Sequence, residues 1–154
     1  MDLKKGDIAP DFSAEINGGK TIKLSDYKGK NLVLYFYPKD NTSGCTKEAC
    51  EFRDNMDELA NNNVEVLGVS PDSITSHEKF IEKFNLNFNL VSDPDNSIST
   101  AYGAYGEKSM YGRKYMGIIR STFLINKEGV IEDVWYKVRV NGHVDAVKKS
   151  ISGL

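Results

Sequence analysis

The sequence has no long hydrophobic run and almost no net charge. Its longest strongly apolar run, residues 32–37, is far shorter than the roughly 20 residues that a membrane-spanning helix needs, and the first six residues lead into no apolar signal segment. A formal net charge of −2 argues against a strong electrostatic attraction to nucleic acid or to an anionic membrane. We therefore predict a cytoplasmic protein whose partners include neither nucleic acid nor membrane.

Cysteine and histidine are also scarce, with two of each in 154 residues. Two cysteines rarely form a permanent staple in a reducing cytosol, and a chain of this length buries enough surface to fold without one. The histidines, His77 and His143, show no metal-ligand spacing, and we expect surface or capping positions for both. Repeats, low-complexity stretches and linkers are missing, which predicts a single domain over residues 1–154.

The first half of the chain alternates strands and helices. Continuous apolar runs at 32–37 and 64–70 predict strands buried on both faces. Apolar residues at helical spacing predict a helix from about 43 to 61, capped by Thr42 or Ser43, and a second helix opening with a capping box from Thr75 to Glu78. Such alternation is typical of parallel strands joined by right-handed crossovers.

The remaining segments complete an α/β pattern. They are an N-terminal hairpin turning at Asn17-Gly-Gly, a short strand, a short helix, a glycine- and tyrosine-rich loop, a second hairpin and a final helix: residues 12–24, 88–91, 96–102, 103–117, 121–136 and 142–151. We predict a thioredoxin-like fold, in which helices flank a central mixed sheet and the N-terminal β-hairpin is an extension.

Both cysteines follow the first buried strand. Pro38 ends the strand, the Thr42 hydroxyl can both donate and accept a hydrogen bond, and Cys45 lies in the first turn of the predicted helix. Unpaired N–H groups and the positive end of the helix dipole favour the thiolate, which is the reactive form of cysteine. A lone cysteine is more often an inert buried side chain, so the presence of a second one matters.

The spacing between the two cysteines is informative. On a regular helix Cys45 and Cys50 point about 140° apart, with Cα atoms roughly 8 to 9 Å from each other. A disulfide needs Cα atoms within about 7 Å, so a bond between them requires the helix to unwind. This favours a cycle in which one thiol reacts with substrate and the other resolves it later, rather than a disulfide carrier with Cys-x-x-Cys.

The same residues resemble a known family. The pattern Pro38-x-x-x-Thr42-x-x-Cys45 is similar to the active-site signature of the peroxiredoxins, and the spacing from Cys45 to Cys50 resembles the bacterioferritin comigratory protein, or peroxiredoxin Q, branch. Four further stretches are similar to recurring parts of that family: residues 6–12, 24–29, 69–72 and 117–125. The resemblance covers nearly the whole chain.

The resemblance implies a thiol peroxidase. Cys45 would attack hydrogen peroxide or a small alkyl hydroperoxide and become a sulfenic acid, and Cys50 would condense with it to a disulfide that thioredoxin or a similar dithiol protein reduces. Arg120 matches the family's active-site arginine, and Glu48 matches an acid that holds this arginine. No metal, haem or flavin cofactor is required. The predicted catalytic residues are Pro38, Thr42, Cys45, Glu48, Cys50 and Arg120.

Two other functions are compatible with the pattern. The first is a thiol-disulfide oxidoreductase that reduces protein disulfides and reacts little with peroxide. The second is a redox-sensing module, in which oxidation unwinds the helix around Cys50 and exposes a surface for a partner. We expect a monomer or a weak homodimer.

Overall fold

The computed structural model describes residues 2–154, which form nine strands and five α-helices. The strands are β1 (Ser13–Glu15), β2 (Thr21–Lys23), β3 (Asn31–Phe36), β4 (Val64–Ser70), β5 (Asn89–Ser92), β6 (Tyr105–Met110), β7 (Arg113–Ile118), β8 (Ser121–Ile125) and β9 (Ile131–Trp135). The helices are α1 (Ser43–Asp54), α2 (Met56–Asn61), α3 (Ile74–Phe84), α4 (Ser97–Ala101) and α5 (His143–Ser152).

A five-stranded mixed sheet with the strand order β5-β4-β3-β8-β9 forms the centre of the fold. Strands β3, β4 and β5 are parallel, with α1 and α2 in the first crossover and α3 in the second, whereas β8 and β9 form an antiparallel hairpin that pairs with β3. Helices and a mixed sheet confirm the predicted thioredoxin-like architecture. The hairpin β1–β2 confirms the predicted N-terminal extension. The single-domain boundary stays a prediction.

Strand β3 is central because it is covered on both faces. Val33 and Tyr35 point into a core that they share with α1, α2, α3 and α5. Leu32, Leu34 and Phe36 point into a second core on the opposite face, which includes residues of α4 and of the N-terminal hairpin. All six residues of β3 are buried, which is why the sequence shows a continuous apolar run instead of alternation.

Gly68 of β4 allows a close approach beneath α1. A Cβ atom at this position would lie 2.9 Å from the Tyr35 ring and 2.8 Å from Leu90, so no larger residue fits without a shift. The space lets the Tyr35 ring lie against β4, where it stacks on Phe52 of α1 with ring centroids 4.8 Å apart. This stack is one of the contacts that hold α1 on the sheet.

The prediction of a loop over residues 103–117 is wrong, because strands β6 and β7 form a second, antiparallel hairpin there. Its turn is made by Tyr111 and Gly112, both with positive φ (52° and 76°), and it lacks the asparagine that usually signals such a turn. Most of the hairpin is exposed, so its residues carry no alternation of apolar and polar side chains. Neither of the usual strand signals is therefore present.

Two predicted helix details are also wrong. The helix predicted over 43–61 is broken at Asn55, which lies between α1 and α2 with φ −109° and ψ 5° and donates through its amide to the Glu51 carbonyl (2.7 Å). The N-cap of α3 is Ser73, whose hydroxyl accepts from the Ser76 N–H (3.1 Å), and no capping box starts at Thr75. Over residues 2–154, none of the helices has the length and apolar character needed to cross a membrane.

Candidate active site

The loop between β3 and α1 brings Cys45 to the start of a helix. Asn41 turns the chain with φ 61°, and Thr42 is the extended N-cap residue of α1, as predicted. The Thr42 hydroxyl donates to the Lys39 carbonyl (2.9 Å), so it closes the loop and does not cap the N–H groups of the first helical turn. Cys45 is the third residue of α1 and is only 2% exposed.

Arg120 lies directly before β8 and reaches across to Cys45. One terminal nitrogen of its guanidinium donates to Cys45 Sγ at 3.3 Å, and the other donates to Glu48 Oε1 at 2.7 Å. Gly44 lies beside this guanidinium, where a Cβ atom would be 3.4 Å from the nearer terminal nitrogen, an ordinary van der Waals contact. A charged donor is therefore held beside the thiol by a carboxylate one helical turn further along α1.

Glu48 has an unusual environment for a carboxyl group. It is fully buried, and among residues 2–154 only its Oε1 atom has a hydrogen-bond partner, while Oε2 has none. Desolvation raises the pKa of Glu48 to about 7, and the neighbouring Arg120 opposes this rise without cancelling it. Burial alone would lower the pKa of Arg120, but the charges of Glu48 and Cys45 raise it overall. Arg120 thus stays charged.

The burial of Glu48 predicts a pH effect on stability. Because its pKa is higher in the folded than in the unfolded state, the folded state binds more protons between about pH 4.5 and 7, and the free energy of unfolding falls as the pH rises through this interval. We expect Glu48→Gln to remove up to about 3 kcal/mol of this fall. Urea unfolding at pH 5 and pH 8 measures it.

The control for this measurement is Glu82→Gln, which removes an exposed carboxylate from α3. It is expected to leave the pH dependence as in the unsubstituted protein. If the free energy of unfolding of the Glu48→Gln variant falls as much between pH 5 and pH 8 as that of the unsubstituted protein, the buried carboxyl does not bind the extra proton.

Cys50 lies on the same helix as Cys45 and is partly exposed. Both cysteines are free thiols, and α1 is unbroken from Ser43 to Asp54, so the structure contains the folded dithiol form of the segment. Pro38 is partly buried at the end of the first central strand. The structure therefore brings Cys45, Glu48 and Arg120 into direct contact, places Thr42 and Pro38 in the adjoining loop, and keeps Cys50 apart.

A second polar cluster lies behind this loop, and the sequence prediction missed it. The Asp40 carboxylate accepts from the Tyr37 hydroxyl (2.5 Å) and the Ser76 hydroxyl (2.9 Å), and it pairs with His77 Nδ1 (2.7 Å). The other ring nitrogen of His77 faces the Val91 carbonyl at 2.9 Å. No sequence spacing signals this cluster, because its members come from a strand end, a loop, a helix and the neighbouring strand.

The expectation that the two histidines take surface or capping positions is wrong. His77 is fully buried in the cluster just described, and His143 is 5% exposed with its Nε2 atom 2.7 Å from the Thr122 hydroxyl. Burial lowers the pKa of His143 to about 4, and the charge of Arg120 contributes to this. His143 is therefore a neutral hydrogen-bonding residue at the start of α5.

The cluster around His77 also contains the residues best placed to hold a metal ion. Asp40, Asp72 and His77 offer ligand atoms within 4.8 Å of one another. However, Asp72 Oδ2 already accepts from the Asp40 N–H and the Ser70 hydroxyl, and both Asp40 oxygens accept from protein donors. These atoms are satisfied within the protein, so we interpret the cluster as a hydrogen-bonded network.

Comparison with known proteins identifies related chains along nearly the full length. The AhpC/TSA family model matches residues 5–134. The chain is 50% identical over 147 residues to the putative peroxiredoxin bcp of Coxiella burnetii (96% of this chain, 97% of the relative), and 50% identical over 144 residues to peroxiredoxin Bcp of Bacillus subtilis (94% and 92%).

The solved structures that are similar to this chain include peroxiredoxins as well. A Xanthomonas campestris peroxiredoxin Q structure has a TM-score of 0.88 and 42% identity, covering 92% of this chain and 90% of its own. A mutant of PrxQ from Xylella fastidiosa has a TM-score of 0.93 and 38% identity, covering 99% and 98%.

Proposed function

The chain belongs to the AhpC/TSA family of peroxiredoxins and is a thiol-dependent peroxidase, and from this premise we propose which of its residues carry out the reaction. Cys45 is the peroxidatic cysteine and Cys50 the resolving cysteine. The observation that supports this assignment best is the contact of Arg120 with Cys45 Sγ at 3.3 Å, fixed by the buried Glu48.

In the first step the Cys45 thiolate attacks the distal oxygen of a hydroperoxide. The sulfur–oxygen bond forms as the oxygen–oxygen bond breaks, Cys45 is oxidised to a sulfenic acid, and the leaving oxygen takes a proton from solvent to become water or an alcohol. Arg120 contacts the sulfur and is placed to donate to the peroxide oxygens as negative charge moves onto the leaving oxygen. Glu48 keeps the guanidinium in this orientation.

We assign Thr42 and Pro38 to the binding of the peroxide. Since the Thr42 hydroxyl donates its proton to Lys39, its oxygen is free to accept a hydrogen bond from the peroxide O–H. Pro38 fixes φ where the chain leaves the sheet, and it has no N–H to compete for the peroxide. Both residues act on the substrate and not on the sulfur itself.

In the second step Cys50 attacks the Cys45 sulfenic acid. A disulfide forms and water leaves, but the two residues lie on one regular helix, so α1 must first unwind. A dithiol protein of the thioredoxin type then reduces the disulfide through a mixed disulfide and becomes oxidised in turn. The partly exposed Cys50 is accessible to such a partner.

The substrates we propose are hydrogen peroxide and small alkyl hydroperoxides. The bacterioferritin comigratory protein of Xanthomonas campestris, a structural relative with 41% identity and a TM-score of 0.88, has alkyl peroxide reduction activity. All six proposed site residues belong to one chain, which is compatible with a monomer or a weak homodimer. We propose a cytoplasmic enzyme, and its net charge of −2 argues against binding to nucleic acid or to an anionic membrane.

Stopped-flow oxidation of the reduced protein by hydrogen peroxide tests the assignment, with mass mapping of the product. We expect a rapid first phase, then a slower phase whose product lacks about 2 Da in the peptide that spans both cysteines, as a disulfide requires. Thioredoxin with its reductase should restore the thiols. Two intact thiols after exposure to peroxide, or an oxidised product without a bond between Cys45 and Cys50, would contradict the proposal.

A further inference from the structure

The segment from Pro38 to Thr42, which we call the peroxidatic loop, is held by the side chain at its middle. Asp40 is 7% exposed, and its carboxylate accepts hydrogen bonds from Tyr37 and Ser76 and pairs with His77. Its backbone N–H donates to Asp72 at 2.8 Å. The loop therefore has a buried carboxylate as its anchor, although its ends are partly or fully exposed.

The partners of this anchor come from outside α1. Ser76 and His77 belong to the first turn of α3, Asp72 lies between β4 and α3, and Tyr37 directly follows β3. Next to Asp40, Asn41 accepts from Lys83 of α3 at 3.2 Å. These contacts attach the loop to the β4–α3 side of the molecule.

The hydrogen-bond partners of His77 indicate which of its ring nitrogens carry a hydrogen. The Val91 carbonyl can only accept, so Nε2 donates to it. At Nδ1 the partner is Asp40 Oδ2, which also accepts from Ser76, while Oδ1 accepts from Tyr37. A carboxyl group that accepts from several donors is stabilised in its ionised form. We therefore expect Nδ1 to carry a hydrogen as well, so that a charge-assisted bond joins the two side chains, whose facing atoms lie 2.7 Å apart.

We propose that the buried Asp40–His77 pair is the positioning device of the peroxidatic loop: it fixes Pro38 and Thr42 against the substrate, and it keeps the loop in place when α1 unwinds. This inference rests on the proposed function. It gives Asp40 and His77 roles that act through the loop and not by contact with the peroxide.

The physical reason is that α1 and the peroxidatic loop have different tasks around Cys45. In the proposed cycle α1 loses its helical structure in every turnover, whereas Thr42 and Pro38 must return to the same positions for the next peroxide. A displacement of about 1 Å in a catalytic group can cost on the order of 100-fold in rate. Because the loop is attached to α3, its position does not depend on whether α1 is folded or unwound.

Two variants of His77 separate positioning from general stability. The asparagine amide nitrogen can occupy the place of Nδ1, and the glutamine amide nitrogen can occupy the place of Nε2. His77→Asn thus keeps the donor to Asp40 and loses the bond to Val91, while His77→Gln keeps the bond to Val91 and loses the donor to Asp40. Each variant loses one of the two hydrogen bonds of the buried ring.

The measured quantities are the second-order rate constant for Cys45 oxidation by hydrogen peroxide and the free energy of unfolding. We expect His77→Gln to be slower than the unsubstituted protein by about 10- to 100-fold, and His77→Asn to be slower by less than about threefold, with similar losses of stability in both. Equal rates in the two variants, or a slower His77→Asn, would overturn the proposal. If the unsubstituted protein does not react rapidly, the proposed function itself has failed.

A measurement on the unsubstituted protein does not depend on the folding of variants. Nitrogen NMR of the His77 ring should show both nitrogens protonated in the dithiol form and unchanged in the disulfide form made with diamide, while backbone amides of α1 lose protection. A ring nitrogen without a hydrogen, or His77 signals that change when the disulfide forms, would overturn the proposal.

Discussion

Cys45→Ser is expected to reduce peroxide turnover at least about 10³-fold, as removal of a catalytic nucleophile does in other enzymes. A serine hydroxyl is not ionised near neutral pH, and it is a much weaker nucleophile than a thiolate. The substitution changes one buried atom beside Arg120, so the fold should persist. Peroxide consumption coupled to thioredoxin and its reductase gives the rate.

Cys50→Ser is the matched control for this variant. It should react with the first equivalent of peroxide at close to the unsubstituted rate, because the hydrogen bonds of the Arg120 guanidinium go to Cys45 and Glu48 and not to Cys50. It should then stop at the sulfenic acid, which a dimedone-type reagent labels at Cys45. Turnover by Cys45→Ser, or dimedone labelling at position 50 in the unsubstituted protein, would reverse the assignment of the two cysteines.

Arg120→Met is expected to slow Cys45 oxidation by about 10²- to 10³-fold, the usual loss when one donor to a developing negative charge is removed. Methionine has a similar length but no charge and no N–H. The substitution also leaves Glu48 buried without its partner, which costs about 3–5 kcal/mol of stability where such a pair is broken. The loss of rate must therefore be separated from the loss of stability.

The double variant Arg120→Met with Glu48→Gln achieves this separation. Neutralising Glu48 removes the unpaired buried charge, so stability should largely return while the oxidation rate stays low. Arg113→Met, at the exposed end of the β6–β7 hairpin, is the control for loss of an arginine elsewhere. Stopped-flow rates and urea unfolding are compared for all three. Recovery of the rate together with stability would show that Arg120 has only a structural role.

The sequence predicted the parts of the site that local spacing controls. Cys45 lies in the first turn of the predicted helix, and residue type limited the N-cap to Thr42 or Ser43, of which the structure has Thr42, whereas the role of Glu48 came only from the family resemblance. The continuous apolar run of β3 and the hairpin β8–β9 were equally readable. Arg120 is different: 75 residues separate it from Cys45, and only the family resemblance placed it beside the thiol.

The features that the sequence did not reveal depend on tertiary contacts. The burial of His77 requires acceptors from Asp40 and from Val91, which are distant in sequence. The hairpin β6–β7 depends on pairing of exposed residues around a turn without the usual asparagine. The break at Asn55 is stabilised by Lys148 of α5, whose amine donates to the Asn55 side chain at 3.0 Å. None of these contacts leaves a periodic pattern in the chain.

The break at Asn55 has a consequence for how much of the molecule opens in each cycle. It ends α1 after twelve residues, and the side chains that α1 buries are Cys45, Glu48, Ala49 and Phe52. Of these only Phe52 is large, and burial of such a side chain contributes about 1.5–3 kcal/mol. Opening α1 must also break the buried pair of Glu48 with Arg120. We expect α1 to open as one unit that ends at Asn55, while the hydrogen bonds between β3 and β4 remain protected.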